Sequence, residues 1–536
     1  MRRFSFAALF FLTSVSAVRA EPVSAAILGV ASWYATQGIV VQALVQIGIG
    51  LALSAASYGL QYLLSGGGKR VQQGDPIGVQ IAERDGLLEA RRVYGTRVVA
   101  GGVFFEQTVT DSGSSQPDIY VYGAAVSEGE CDSLVSVIIN GVECTITDAS
   151  AGAGLPLDAP WNDGNLTYFK VSFRPGTSTQ GVDPIIAARF ATPPDEFLPD
   201  DAARLTKWAQ FKQKGVCTVV IEMNFGNSTD HHTELWGAGG IPDIKFKIKG
   251  LKVYDPRDYD QDVVDATTRT WSANASLIEA DWLIADMGFG IATTLIDWDS
   301  VATSAAIDDR YEPTLDGLER RGTINGEVTS TETNVDVLQS MSQQNRALVR
   351  KAFGVYTIRA ESAAEALATV HQWLLVGDLN YQNEPDTRSA INRVDLQFSP
   401  ATRFNESAET VYEDAALIAA DGQTYAQRVS LRFCDTPSTA QRLGFALVTE
   451  NRVGRTVTAV LDIAALVAAG KSGQLLEAGD VVNVYLAAPY DAVNGLYKIN
   501  SIEINGDFTV TIAMSGTSAE IIGGWSTSLE TAFEAA

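Results

Sequence analysis

Between Arg91 and Phe105 the chain reads RRVYGTRVVAGGVFF, with apolar and polar residues alternating around Gly95, Gly101 and Gly102. A period of two sends successive side chains to opposite faces of a strand. Glycines within such a run let the backbone bend or let another backbone approach closely. The body of the chain from Val79 onward is therefore expected to be β-rich. Further strands are expected at Ile119 to Ala125, Ser133 to Ile139 with a turn at Asn140-Gly141, Tyr168 to Phe173, Val216 to Asn224 and Ile244 to Tyr254. The polar Gly- and Pro-containing stretch from Asp148 to Asp201 reads as an insertion or long loops around one short strand. Helices are expected at Ala275 to Met287, where Leu277, Ile278, Trp282 and Ile284 fall near one face, and at the Ala-rich Ser362 to Leu375. From Asn392 onward the pattern is again largely β, with a helix at Ser438 to Arg452. The fold class this implies is α+β, mainly β.

With 536 residues the chain exceeds one hydrophobic core, so about three or four domains are expected. Its 46% hydrophobic and 19% charged residues are those of a packed chain rather than a disordered one. A net charge of −25 disfavours nucleic-acid binding, because an acidic surface repels phosphates; DNA passing an acidic wall without sticking is compatible with it. Cys131, Cys144, Cys217 and Cys434 are too few and too scattered for a disulfide scaffold, and no CxxC occurs, so a zinc ribbon is excluded. Cys131 and Cys144 flank a hairpin, and buried free thiols are expected there rather than a bridge.

The N-terminus carries two conflicting signals. Met1 to Ala20, with Arg2, Arg3 and an apolar run, matches a secretory signal peptide. From Pro22 to Gly68, however, there is no Asp, Glu, Lys or Arg. This stretch is dense in Gly and Ala, has length for two helices of roughly 20 residues, and carries Gln37, Gln42, Gln46 and Gln61, which suit partner helices or water better than lipid. Membrane insertion and an oligomeric helical core both remain open readings, with Gly66-Gly67-Gly68 as a flexible break before the body.

Candidate chemistry is sparse. His231 and His232 in TDHHTE are adjacent, so on a strand they point to opposite sides, and a polar loop is the expected reading. Asp258-Tyr259-Asp260-Gln261-Asp262 begins like a calcium loop, but Val263 stands where glycine is needed and Arg269 where a bidentate Glu belongs. No HExxH, GxSxG, P-loop or dinucleotide fingerprint is present. Carboxylate pairs are frequent among 64 acids, and none is singled out. No catalytic, cofactor-binding or metal-ligating residue is assigned, and a structural rather than an enzymatic role is expected.

Five strings in chain order, RRVYGTRVVAGGVFF, IYVYGAAVSEGECDSLVSVIINGVE (Ile119 to Glu143), IKFKIKGLKVYDPRD (Ile244 to Asp258), TWSANASLIEADWLI (Thr270 to Ile284) and LEAGDVVNV (Leu476 to Val484), resemble the hub portion of the siphophage tail-tip family typified by the lambda-type host-specificity protein J. The resemblance implies a multidomain tail hub: two tube-like β-barrel domains and a middle α/β domain. Residues 1–20 would be a signal-like segment and 21–68 apolar helices. Residues 69–255 would form the first hub β region with an insertion near 145–215, 256–390 the middle α/β domain and 391–536 the second tube-like domain. It further implies a homotrimer that presents a pseudo-sixfold ring to the tail tube at the distal tip of a virion. Its partners would be the distal tail protein, other tail-tip proteins and the C-terminus of the tape-measure protein. DNA would pass through without specific binding, and residues 23–64 would plug the lumen or contact the host membrane during ejection. Long members continue into fibronectin-like domains and a receptor-binding tip, whereas this sequence stops soon after Trp525, so receptor binding is expected of another protein. An exported envelope protein with a cleaved signal, and more remotely an envelope hydrolase, are the competing expectations.

Overall fold

The computed structural model describes residues 89–110, 118–150, 152–162, 167–193, 197–224, 242–352, 354–362, 366–382, 390–466 and 475–533. The readings for residues 1–20, 21–68 and 23–64 and for His231 and His232 lie outside the described residues.

The alternation from Arg91 resolves into three strands, Arg91–Tyr94, Thr96–Val99 and Gly102–Val109. Gly95 between the first two has φ +64°, and a Cβ there would run into the Ile324 carbonyl and the Asn325 side chain. Only glycine adopts that turn at that approach without strain. The breaks send each strand to a different partner. Arg91–Tyr94 pairs antiparallel with Gly326–Thr329, Thr96–Val99 with Ile244–Val253, and Gly102–Val109 with Ile119–Glu128.

Two antiparallel sheets make the first β region. One has the order Gly102–Val109, Ile119–Glu128, Val216–Asn224, Phe169–Arg174. In the other, Ile244–Val253 lies between Cys131–Ile139 on one side and Thr96–Val99 with Thr270–Trp271 on the other. Val142–Thr145 then extends it through a two-residue turn at Asn140 and Gly141, both at positive φ. Tyr122, Ala124, Val137 and Phe246 meet in a single core between the sheets. The opposite face of the four-stranded sheet packs Val121 and Val220 against Ile186, Phe190 and Leu205 of two helices, Pro184–Phe190 and Pro199–Trp208.

Those helices correct the reading of 148–201 as loops around one short strand. The strand exists as Phe169–Arg174 but is an integral edge of the four-stranded sheet. Pro184 and Pro199 occupy the first turn of each helix, where proline has no N–H to waste. Asp183 caps the first by accepting from the N–H groups of Ile185 and Ile186.

The middle of the chain packs the helices Ala275–Ile284, Trp298–Asp308 and Asn334–Asn345 beside the hairpin Leu348–Ala352/Val355–Arg359. Asn274 caps the first of these helices by accepting from Leu277 N–H. The helix is buried from Ala275 through Leu283, not on one stripe.

The second β region departs most from expectation. In place of the helix expected over Ser362 to Leu375, the described part of that segment contains the strand Ala368–His371 and a 3-10 turn, Gln372–Leu374, before the strand Leu375–Gln382. Pairing of Ala368–His371 with the distant Val481–Tyr485 overrides the alanine propensity. The six-stranded sheet runs Ala368–His371, Val481–Tyr485, Gly495–Ile504, Thr509–Gly516, Thr456–Asp462, Leu375–Gln382. Its two edge strands are consecutive in sequence and joined only by Gln372–Leu374, so the sheet rolls until its edges lie within a short turn of each other at that end. Val370, Leu461, Val482, Ile499 and Ile512 fill its inside. The expected division at 390/391 therefore cuts through this sheet. Residues 393–453 instead form a separate core, with Arg393–Phe398 between Ala408–Glu413 and Ala426–Ser430 and the helix Pro437–Val453 packed against them.

Candidate assembly surface

Buried and half-buried ion pairs join the regions. Arg97 of Thr96–Val99 is the exception: it is fully buried near Glu327 and Asp435, whose charges oppose the lowering of its pKa by burial, but its Nε and Nη1 meet no hydrogen-bond partner among the described residues. Asp281 collects Tyr94 Oη at 2.8 Å, Arg92 at 3.2 Å and Arg269 at 3.4 Å. Arg432 grips Glu332 (2.8 Å), and Asn325 N–H donates to the Phe433 carbonyl at 3.0 Å. Val98 N–H donates to Asn405 Oδ1 at 2.9 Å. Toward the rolled sheet, Arg346 pairs with Glu361 and, at 2.6 Å, with Glu450, while Lys498 reaches Glu361 at 2.9 Å. Burial pushes Glu361 up, but Arg346 and Lys498 outweigh it and hold the carboxyl well below the usual range. Arg350 pairs with Glu477, and Arg359 with Asp480 at 2.7 Å. Desolvation cancels much of the energy of such pairs, so what they supply is orientation: each is satisfied in one relative placement of the regions it joins.

The structure also brings together a carboxylate pair that the sequence reading leaves unassigned. Glu279 and Asp308 are both fully buried. Burial and then the charge of Asp308 push Glu279 up to about 8, so it keeps its proton at neutral pH. Burial raises Asp308 to about 6, held down from further rise by hydrogen bonds from Ser276 and Asn345, whose N–H and Nδ2 lie 2.9 and 3.1 Å away. A substrate has no route to a pair at zero exposure, and its place is that of a polar core knot among three helices.

All four cysteines are free and buried. Cys144 lies opposite Val137 in the hairpin register, several residues from Cys131 along the strand, which is why the hairpin does not bring these two thiols together. The turn after Tyr254 is held by Asp255, which accepts from Arg257 N–H at 2.9 Å, and by Asp258, which accepts from Asp260 N–H at 3.1 Å. Among the described residues no group of His, Cys, Asp or Glu is placed to hold a metal ion, and no helix is long and apolar enough to cross a membrane.

At the joined end of the rolled sheet, His371 stacks on Trp373 with centroids 6.2 Å apart and meets Tyr485 edge-on at 6.3 Å. Trp373 and Tyr485 are exposed, so among the described residues this rim carries an open aromatic patch.

With this architecture in view, one solved structure aligns over nearly the whole chain: a chain in the virion of a native gene transfer agent particle, with TM-score 0.55 and 17% identity, covering 94% of this chain and 98% of that one. The two chains share a fold. The tail protein from Neisseria meningitidis MC58 aligns with TM-score 0.30 and 13% identity over 73% of this chain and 98% of that one. The 43 kDa tail protein of prophage MuSo2 from Shewanella oneidensis gives TM-score 0.27 and 9% identity over 81% and 99%. Both scores are too low to establish a common fold. No family model and no curated protein matches the sequence.

Proposed function

We propose that this chain is a structural subunit of a phage-type tail, the hub of the distal tip, and that three copies seat on a sixfold tail tube. The observation that carries the reading is the fold shared over 94% of the chain with a virion protein. The two β regions support the finer geometry. The paired sheets of residues 91–253 and the rolled sheet of residues 368–516 are the two tube-like units of one polypeptide, so three chains offer six. Ion pairs tie each unit to the middle of the chain, Arg92 with Asp281 for the first and Arg350 with Glu477 for the second, and a fixed angle between units is what matching of symmetries requires.

In this reading the distal tail protein, other tip proteins and the tape-measure C-terminus are the partners, and the conduit passes DNA that a chain of net charge −25 does not hold. Residues 23–64 act at ejection, as a lumen plug or at the host membrane. Native mass measurement of the purified protein and imaging of assembled particles test the proposal. Three copies per ring is the expected result; a monomer, or a ring whose copy number is not divisible by three, overturns it.

A further inference from the structure

Two exposed surfaces of opposite character take no part in the joints described above. The first is an open aromatic groove on the first β region. Its floor is Phe104, Trp208 and Phe211, with ring centroids 5.7 Å apart for Phe104 and Trp208 and 5.6 Å, edge-on, for Trp208 and Phe211. Phe211 is 56% exposed. Lys212 and Lys214 line the groove, and Lys207 sits one residue before Trp208 at the end of its helix; all three are exposed. In a chain of net charge −25 this is a local reversal of sign.

The second surface is the loop Asp258–Asp265, DYDQDVVD. It alternates aspartates with apolar side chains held in water: Tyr259 is 100% exposed and Val264 80%. The loop is nevertheless fixed. Gln261 Nε2 donates to Asp258 at 3.1 Å and to Thr270 at 2.9 Å, Asp262 N–H donates to Thr268 Oγ1 at 2.8 Å, and Val264 N–H donates to Asp262 at 2.8 Å. Arg257 clamps its base through Asp255 at 2.7 Å and Asp309 at 2.8 Å. A tyrosine presented on a rigid loop has little chain entropy left to lose on docking and a large ring to bury, the properties of an interface anchor.

We propose that in the assembled protein the Asp258–Asp265 loop of one copy docks in the Phe104–Trp208–Phe211 groove of the next. Tyr259 lies on the aromatic floor, and the aspartates face Lys212 and Lys214. The proposal rests on the oligomeric reading above and specifies its contact. Loop and groove are different patches of the same chain, so the contact is head-to-tail, and contacts of that kind give a ring when the rotation between copies closes, which for three copies is a third of a turn, and an open filament when it does not.

Full-length protein carrying Asp260→Cys and Lys212→Cys together tests it under mild oxidation, because these exposed positions face each other in the docked arrangement, Tyr259 and the aromatic floor are kept, and the four natural thiols are buried. The expected result is a covalent ladder ending at the trimer, absent from each single variant. In parallel, Lys212→Glu with Lys214→Glu is expected to weaken association by about tenfold at low salt, and Asp260→Lys on the same chain, which leaves the bonds that hold the loop in place, to restore part of it. If the double-cysteine protein keeps its trimer mass but gives no cross-link, the docking is wrong and the hub reading stands. If wild-type protein is itself a monomer, both fall.

Discussion

The two β regions bury their strands in different ways. In the first, Ile119–Glu128 is buried at nearly every position, because one face meets the second sheet and the other meets the helices Pro184–Phe190 and Pro199–Trp208. In the rolled sheet, Thr509–Gly516 alternates strictly between buried and half-buried, and Thr456–Asp462 does nearly the same, because only the inside has a partner. The first region shares its core with the middle helices, through Leu277 and Trp282, whereas the rolled sheet keeps a core of its own. A covered strand thus reads as an apolar run and a half-covered one as alternation. The difference also marks where the molecule is continuous and where it is jointed.

The strongest way to break that distinction is to empty each core in turn. Trp282→Ala is expected to cost about 3–5 kcal/mol and to speed hydrogen exchange in both Ile119–Glu128 and the middle helices. Ile512→Ala, costing about 2–5 kcal/mol, should speed exchange within the rolled sheet, Gly495–Ile504 and Thr456–Asp462 included, and not in the first region. Equal spread of the two effects through the chain would abolish the contrast.

Next in size is a pH effect confined to the continuous half. Glu279 has an ordinary pKa of 4.5 and is pushed up to about 8 in the fold. Between those values the folded chain keeps a proton that the unfolded chain has released, so stability falls as pH rises across that window, by about 1 kcal/mol per pH unit. Glu279→Gln keeps the shape and removes the titration. Thermal unfolding from pH 5 to pH 8 should be markedly flatter for the variant, and parallel profiles would show that the buried carboxyl is not what titrates.

At the joint itself, Arg350→Met removes the partner of Glu477. Because Glu477 is partly exposed, the cost is discounted to about 1–2 kcal/mol. Two calorimetric transitions in place of one would show that the joint couples the rolled sheet to the rest. A single shifted transition would show that other contacts suffice.

The strands were legible because a half-covered strand alternates and a fully covered one is a short run rich in β-branched residues between turn residues, and Val216–Asn224, of the second kind, coincides with its sequence expectation. What was illegible depends on non-local partners. Ala368–His371 is a strand because Val481–Tyr485 lies beside it in parallel, more than a hundred residues away. Glu279 reads as the polar side of a helix until neighbouring helices close over it. The candidate groove is hidden for the same reason: Phe104 and Trp208 come from a strand and a helix on opposite sides of the segment in which the sequence suggested an insertion or long loops around one short strand.

The smallest expected effect compares one turn from each region. Asn140 and Gly141 both sit at positive φ, 51° and 79°, with residue types that tolerate it. The turn between Gly495–Ile504 and Thr509–Gly516 instead places Phe508 at φ +61°, with 75% of the side chain in water. A left-handed conformation costs a phenylalanine about 1 kcal/mol, and at that exposure it recovers little by packing. Phe508→Asn should therefore raise the rolled sheet's stability by about 0.5 kcal/mol, while Gly141→Ala should lower that of the first region by about 1 kcal/mol. If denaturant midpoints showed Phe508→Asn to be destabilising, the exposed ring would have to be making a contact in the assembled state, and this edge of the rolled sheet would join the groove and the loop as a surface that meets another chain.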